Sequence, residues 1–216
     1  MKKYNLFGYS GHSYVIADTI LMSGGIINGY YGMEKPVNPY SIKYLGNENQ
    51  TNEKDFDREC LYFPSVGDGT VRRKMVEFIE IQNLKQTVLQ HPSAIVSPLA
   101  ILENSVFIGA GAIVNTKSII KKGTIINTRA IIEHECLIGE FCHIAPGTVL
   151  TGNVSVDDFT FIGANSVIIP GKKIGKNVIV GAGSVVLNDI PDNEVWVGNP
   201  ARKIRMNDRH EISHEK

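Results

Sequence analysis

From Ile95 to Ile190 the chain repeats every six residues, and that period constrains the fold more than any other feature of the sequence. Cut from Ile95, the segment reads IVSPLA, ILENSV, FIGAGA, IVNTKS, IIKKGT, IINTRA, IIEHEC, LIGEFC, HIAPGT, VLTGNV, SVDDFT, FIGANS, VIIPGK, KIGKNV, IVGAGS and VVLNDI. The second position of all sixteen blocks is Ile, Leu or Val, from Val96 to Val186. The sixth is mostly small, as at Ala100, Ser118, Ala130, Cys136, Thr148 and Ser184, and the third to fifth collect Gly, Pro, Asn, Asp, Ser and charged residues. A helix repeats its apolar residues near every 3.6 positions and a sandwich strand near every 2, so neither explains a period of six. It suits a solenoid in which each short strand turns one aliphatic and one small residue inward before a corner. Three sides make a coil of 18 residues, and at ~4.8 Å per coil the prism is roughly 25 Å tall.

The residues before the repeat follow a different rule. Tyr4 to Phe7 read as a short buried strand, followed by the turn Gly8-Tyr9-Ser10-Gly11-His12 and a helix pattern ending at Gly24-Gly25. Ile26 to Tyr31 form a second apolar run, and Pro36 to Tyr44 a loop entering another short strand. Leu61 to Val66 read as a strand running into Gly67-Asp68-Gly69 and a helix over TVRRKMVEFIEIQNL. Alternating strands and helices predict a small parallel α/β sheet of Rossmann-like topology. The expected division is 1–90 for this Rossmann-like domain, 91–205 for the prism and 206–216 for a polar tail. A strand, a glycine turn and a helix start form an anion site, because free N–H groups there face a phosphate. As a dinucleotide fingerprint GYSGH is weak, since it is not G-x-G-x-x-G and no acid closes the second strand.

Bulk properties exclude some partners. Lys plus Arg and Asp plus Glu are each 22, a formal charge of zero, which gives no electrostatic reason to expect nucleic acid or membrane binding. No apolar stretch approaches the ~18 residues of a membrane span, and the run after Lys2-Lys3 ends at Gly8, too early for a signal peptide. Three cysteines do not make a disulfide framework, so a reducing, cytoplasmic setting is expected. Cys136 and Cys142 lie near His134 and His143, but both fill the small inward slot while His134 occupies a corner. The four do not converge on one ion, and no metal is expected.

His134 and Glu135 hold the fourth and fifth slots of their hexad, where side chains point outward. A neutral imidazole can take a proton, and a carboxylate beside it can hold the tautomer and stabilise the imidazolium. Gly163-Ala164 and Gly181-Ala182 are 18 residues apart and therefore stack. Such small residues leave room along the wall, although Gly and Ala are also ordinary corner residues. Lys172, Lys173, Lys176, Arg202, Lys203 and Arg205 cluster late in the chain, where they could meet phosphates or simply form a solvated edge.

The hexads resemble the hexapeptide-repeat acyltransferases, whose prisms are left-handed parallel β-helices. With G-x-S-G-H near the start, the Gly67-Asp68-Gly69 turn with Arg72, His91-Pro92-Ser93-Ala94, IIEHECLIGEFCHIAPGTVLTGNV and VWVGNPARKI, residues 4–205 resemble the sialic-acid O-acetyltransferase-like family. The best-matched branch is the PglD-type nucleotide-amino-sugar N-acetyltransferases. The resemblance implies an acetyl-CoA-dependent enzyme that acetylates the amino group of a UDP-4-amino-sugar-type substrate for surface glycan synthesis. It implies His134 as general base and Glu135 as its partner, with His143, Gly163, Ala164, Gly181 and Ala182 along acetyl-CoA. Ser10, Gly11, His12, Gly67, Asp68 and Arg72 would meet the nucleotide sugar. It also implies a homotrimer with active sites between subunits, consistent with a prism whose exposed faces need covering. One departure is local: where the family often carries paired Asp after the second strand, this chain reads Tyr31-Gly32-Met33-Glu34. Rival readings are a sugar O-acetyltransferase and a non-catalytic scaffold. A prism-type carbonic anhydrase would need three metal-binding histidines, and the prism offers two.

Overall fold

The computed structural model describes residues 1–33 and 39–208, so Glu34, Pro36 and most of the polar tail lie outside it. Four parallel strands open the chain: β1 (Lys3–Phe7), β2 (Ile26–Tyr31), β3 (Tyr44–Gly46) and β4 (Leu61–Pro64), in sheet order β3-β2-β1-β4. Helix α1 (Gly11–Met22) joins β1 to β2, and α2 (Gly69–Ile81) follows β4. Both helices begin at the expected glycine turns. Asp68 caps α2 by accepting from the Thr70 and Val71 N–H groups, which answers the orphan donors of a first helical turn. The aromatic rings of Phe7, Tyr31, Phe56, Tyr62 and Phe78 fill one side of this sheet.

From Leu89 onward the chain is a left-handed parallel β-helix. Its first rung, Leu89–Gln90, already pairs with Phe107–Ile108, two residues ahead of position 91. Each later hexad supplies a two-residue strand that pairs in register with the strand 18 residues on, as Ile125↔His143 and His143↔Phe161. Three faces result. The docked face carries Phe107–Ile108, Ile125–Ile126, His143–Ile144, Phe161–Ile162 and Ile179–Val180, extended by the hairpin Glu194–Gly198 and Ala201–Met206. The second face carries Ile95–Val96, Ile113–Val114, Ile131–Ile132, Val149–Leu150, Val167–Ile168 and Val185–Val186. The third runs from Ile101–Leu102 to Lys173–Ile174.

The slots behave as the pattern requires. Second-position aliphatics from Ile108 to Val186 are buried in one core. Sixth-position hydroxyls close a polar debt inside it: Ser118, Thr124, Thr148, Thr160 and Ser166 each donate to the carbonyl fifteen residues on. The Cys136 and Cys142 thiols do the same toward Thr151 and Asp157, so small size is joined by a donor where a buried carbonyl needs one. Every sixth residue from Ser105 to Gly183, the fifth slot, has φ between 54° and 71°. That left-handed corner costs a non-glycine residue roughly 1–2 kcal/mol, and Glu135 bears it at φ 61°.

The two parts are locked together by Arg72 of α2, which is 1% exposed. Its Nε donates to Gly123, one terminal nitrogen to Val66 and Gly67, and the other to Phe141 and Cys142. A guanidinium has five N–H donors, and these five carbonyls use them all. Phe107 and Ile125 of the docked face complete the apolar contact by packing with Leu6, Ile16 and Phe63.

Candidate active site

At the corner after Ile131–Ile132, His134 Nδ1 lies 3.1 Å from Glu135 Oε2. A carboxylate only accepts, so in the neutral ring this contact assigns the proton to Nδ1 and leaves Nε2 as the acceptor. Lys117 Nζ stands 4.0 Å from the other Glu135 oxygen. The Cε1–Nε2 edge of the imidazole sits against Gly152: a Cβ there would come within 2.5 Å of Nε2. Gly152 escaped sequence reasoning, although it fills the same slot as His134 one coil on, which was the available signal. The His134 side chain is 55% exposed.

His12, His143 and the Gly67 turn gather elsewhere. His12, on the first turn of α1, sets its ring edge-on to Phe107 at 5.5 Å and stands 6.3 Å from His143. His143 meets Phe161 edge-on at 5.2 Å, and its Nε2 is 3.0 Å from the Asn127 amide; Asn127 and Phe161 were not anticipated. Burial, then the Arg72 charge, pushes His12 down to about 4. Burial first, then Arg72 and His12, pushes His143 down to about 3. Both imidazoles are therefore neutral at pH 7, and His12 Nε2 is enclosed without a hydrogen-bond partner. A cavity of about 680 Å³ beside them is lined by Gly67, Asp68, Phe141, His143 and Phe161. Nothing in the protein approaches a Cβ built on Gly11 or Gly67, so both turns leave open space at their helix starts.

Several expectations shift in this arrangement. Arg72 was expected to touch the nucleotide sugar, but its donors are fully committed to carbonyls, and it acts as a clamp between the two parts. His143, expected along acetyl-CoA, lies close to His12 and packs against Phe161. Gly163 and Gly181 have structural duties. A Cβ on Gly163 would strike the Ala182 nitrogen at 2.5 Å, and one on Gly181 would strike Val197 at 2.6 Å. Their N–H groups bond Val180 and Trp196, so those donors are already committed. Ala182 is exposed and Ala164 half-buried beside it. In the basic late stretch, Lys203 is paired with Glu194 at 2.6 Å. Among the described residues no group of three or more potential ligands could hold a metal ion, and no helix is long and apolar enough to cross a membrane.

His134 is far from His12, Gly67 and His143 in the fold's topology. The corner between the second and third faces is the edge of the triangle opposite the docked face, where His12, Gly67 and His143 lie.

Comparison with known proteins fits this architecture. The PglD N-terminal domain family matches residues 3–79 and the bacterial transferase hexapeptide family residues 153–188. The structure resembles PerB from Caulobacter crescentus, solved with CoA and GDP-perosamine, with a TM-score of 0.87 and 30% identity, covering 95% of this chain and 98% of that one. It also resembles the acetyltransferase domain of PglB from Neisseria gonorrhoeae, solved with acetyl coenzyme A, with a TM-score of 0.86 and 31% identity, covering 94% and 99%. The 2,3,4,5-tetrahydropyridine-2,6-dicarboxylate N-acetyltransferase of Brevibacillus brevis is 40% identical over 75 residues, 31% of this chain; the match spans only 32% of that relative's length. The chain belongs to the hexapeptide-repeat acetyltransferases with a PglD-type N-terminal domain.

Proposed function

We propose that this chain transfers the acetyl group of acetyl-CoA to the amino group of a nucleotide-linked amino sugar used in surface glycan synthesis. The observation that carries the reading is the His134–Glu135 pair, fixed at 3.1 Å with Nε2 free over Gly152. The sugar nitrogen attacks the thioester carbonyl, forming the C–N bond as the C–S bond breaks. His134 Nε2 takes the proton that the nitrogen loses, and Glu135 stabilises the resulting imidazolium; the proton then returns to the leaving CoA sulfur. Ser10, Gly11, His12, Gly67 and Asp68 would hold the nucleotide sugar, while Ala164 and Ala182 mark the wall for the pantetheine arm. PerB and PglB, solved with CoA species, support acetyl-CoA as cosubstrate.

Such a site needs a second copy of the chain. The outward residues of the second face are Ile95, Ile113, Ile131, Val149, Val167 and Val185, an aliphatic ladder that runs beside the His134 corner. Packing this ladder against a neighbour would bury apolar area worth ~25 cal/mol per Å². It would also shield the base from water and bring it to another subunit's docked face. We therefore read the assembly as a homotrimer with three shared sites.

The test is release of CoA thiol from acetyl-CoA with nucleotide-linked amino sugars, with sialic acid as comparator. Turnover of an amino sugar that falls ~10²–10⁴-fold in His134→Ala is expected, and Gly152→Ala, which displaces the ring, should fall in the same direction. Turnover of sialic acid alone would overturn the substrate assignment, and full activity in His134→Ala would overturn the base.

A further inference from the structure

The coils of the prism stack their corners as well as their strands. Ile113 pairs with Ile131 and Ile131 with Val149, in register. The fifth slots that follow these strands, Lys117, Glu135 and Asn153, therefore lie one above another at about 4.8 Å per coil. All three hold the left-handed corner, at φ 60°, 61° and 59°. The backbone is tied between coils at this point: the Glu135 N–H donates to the Thr116 carbonyl at 3.0 Å and the Asn153 N–H to the His134 carbonyl at 2.9 Å. On this frame Lys117 Nζ meets Glu135 Oε1 at 4.0 Å, while Oε2 takes His134 Nδ1 at 3.1 Å. Among the described residues Lys117 is the one lysine or arginine paired with Glu135; one coil below stands Asn153, which is neutral. The prism itself needs neither charge. Its fifth slot asks for a left-handed backbone and nothing of the side chain, and the Lys117 side chain is 67% exposed.

We propose that Lys117 is a positioning residue for acetyl transfer, holding the Glu135 carboxylate so that it selects the His134 tautomer whose Nε2 can take a proton; the proposal rests on the acetyl-transfer reading above. The Glu135 side chain is 51% exposed, so water competes for both of its oxygens. An imidazole left to itself exchanges between its two neutral tautomers. When the carboxylate turns away, Nδ1–H loses its acceptor and the proton can move to Nε2, where the ring is no longer a base toward the substrate. A cation at Oε1 leaves Oε2 for Nδ1, so the three groups form a line from ammonium to carboxylate to imidazole. Lys117 thus acts through Glu135 and not on the reacting atoms. An exposed ion pair is weak, so removing it should cost about two- to fivefold in rate, far less than removing the base.

Nitrogen-15 labelling of the histidines reads the tautomer directly, through long-range nitrogen–proton correlations at about pH 8.5, where an ordinary imidazole is neutral. His134→Ala identifies the signal. In the wild type the Nδ1–H form should predominate. In Lys117→Met the share of the Nε2–H form should at least double, and Lys117→Arg should return it to the wild-type value. Methionine bears the same corner strain as lysine, and circular dichroism with a thermal melt checks the fold. An unchanged tautomer ratio in Lys117→Met overturns the proposal. Steady-state rates give a second readout: kcat should fall about two- to fivefold in Lys117→Met with KM for acetyl-CoA unchanged. The same substitution made in Glu135→Gln should change kcat by less than about 1.5-fold, because the pair is already broken. An equal fall in both backgrounds overturns the proposal, and so does a raised KM for acetyl-CoA, the signature of a lysine that meets a CoA phosphate. If the tautomer responds but the wild type acetylates no amino sugar, the functional reading fails and the role of Lys117 stands. If an amino sugar is acetylated and the tautomer does not respond, the reverse is true.

Discussion

Protonating His12 or His143 would put a second positive charge beside buried Arg72, and both folded pKa values, about 4 and about 3, lie below the ordinary 6.5. As pH falls below 6.5 the unfolded chain binds these protons first, so stability present above pH 6.5 is lost progressively down toward pH 4 and pH 3. At pH 5 the slope should approach, without exceeding, roughly 2.7 kcal/mol per pH unit from the pair. Urea unfolding at fixed protein concentration between pH 7 and pH 5 measures it. His143→Gln should remove about half the slope in that window; an unchanged slope would mean that the two rings do not stay neutral in the folded chain. The pairing could not be read from the sequence, because His12 and His143 are far apart in the chain and meet only when α1 docks on the prism. His134–Glu135 was legible because both residues share one hexad corner, and the repeat alone decides that the corner points outward.

Among the elements, the prism was the most legible and the junction the least. A strict second-position aliphatic and a small sixth position report on side-chain packing, so the faces follow from the letters. The clamp does not, since Arg72 spends itself on backbone carbonyls, which every residue carries and no side-chain pattern marks. Its guanidinium is held by burial at about 10, below its ordinary value, with no carboxylate bonded to it. Arg72→Lys keeps a charge but has three donors for five carbonyls; the Cys142 oxygen also accepts from the Ile125 N–H, so at least one acceptor is left unpaired at ~1–3 kcal/mol. For a chain of this size a loss of about 1–3 kcal/mol lowers the melting temperature by roughly 2–12 °C. Limited proteolysis alongside calorimetry should show α2 and the sheet β3-β2-β1-β4 cut before the prism. A melting temperature within 2 °C of wild type would show that the clamp is dispensable.

At the scale of the whole molecule the decisive fact is a mismatch between one chain and one reaction. His134 sits on the edge of the prism opposite the docked face, while His12, the Gly67 turn and the cavity beside them belong to that face or the domain upon it. The coils of the prism are tied by ladder after ladder of in-register bonds, so no hinge within them can bring Nε2 around the triangle. Association can, because the aliphatic ladder from Ile95 to Val185 runs beside the His134 corner and seeks an apolar partner. Two inactive variants should then rescue each other: His134→Ala lacks the base and His12→Ala weakens the substrate side, but a mixed assembly contains sites with both groups intact. Random mixing of equal amounts gives a quarter of sites intact, so about a quarter of wild-type activity is expected after co-refolding or co-expression. Light scattering on the same samples reads the assembly, and Val149→Glu, which puts a charge in the middle of the ladder, should yield monomers without acetyl transfer. Mixed variants that remain as inactive as either parent would mean that each chain completes its own site, and the opposition of corner and face would then need a conformational rather than an oligomeric answer.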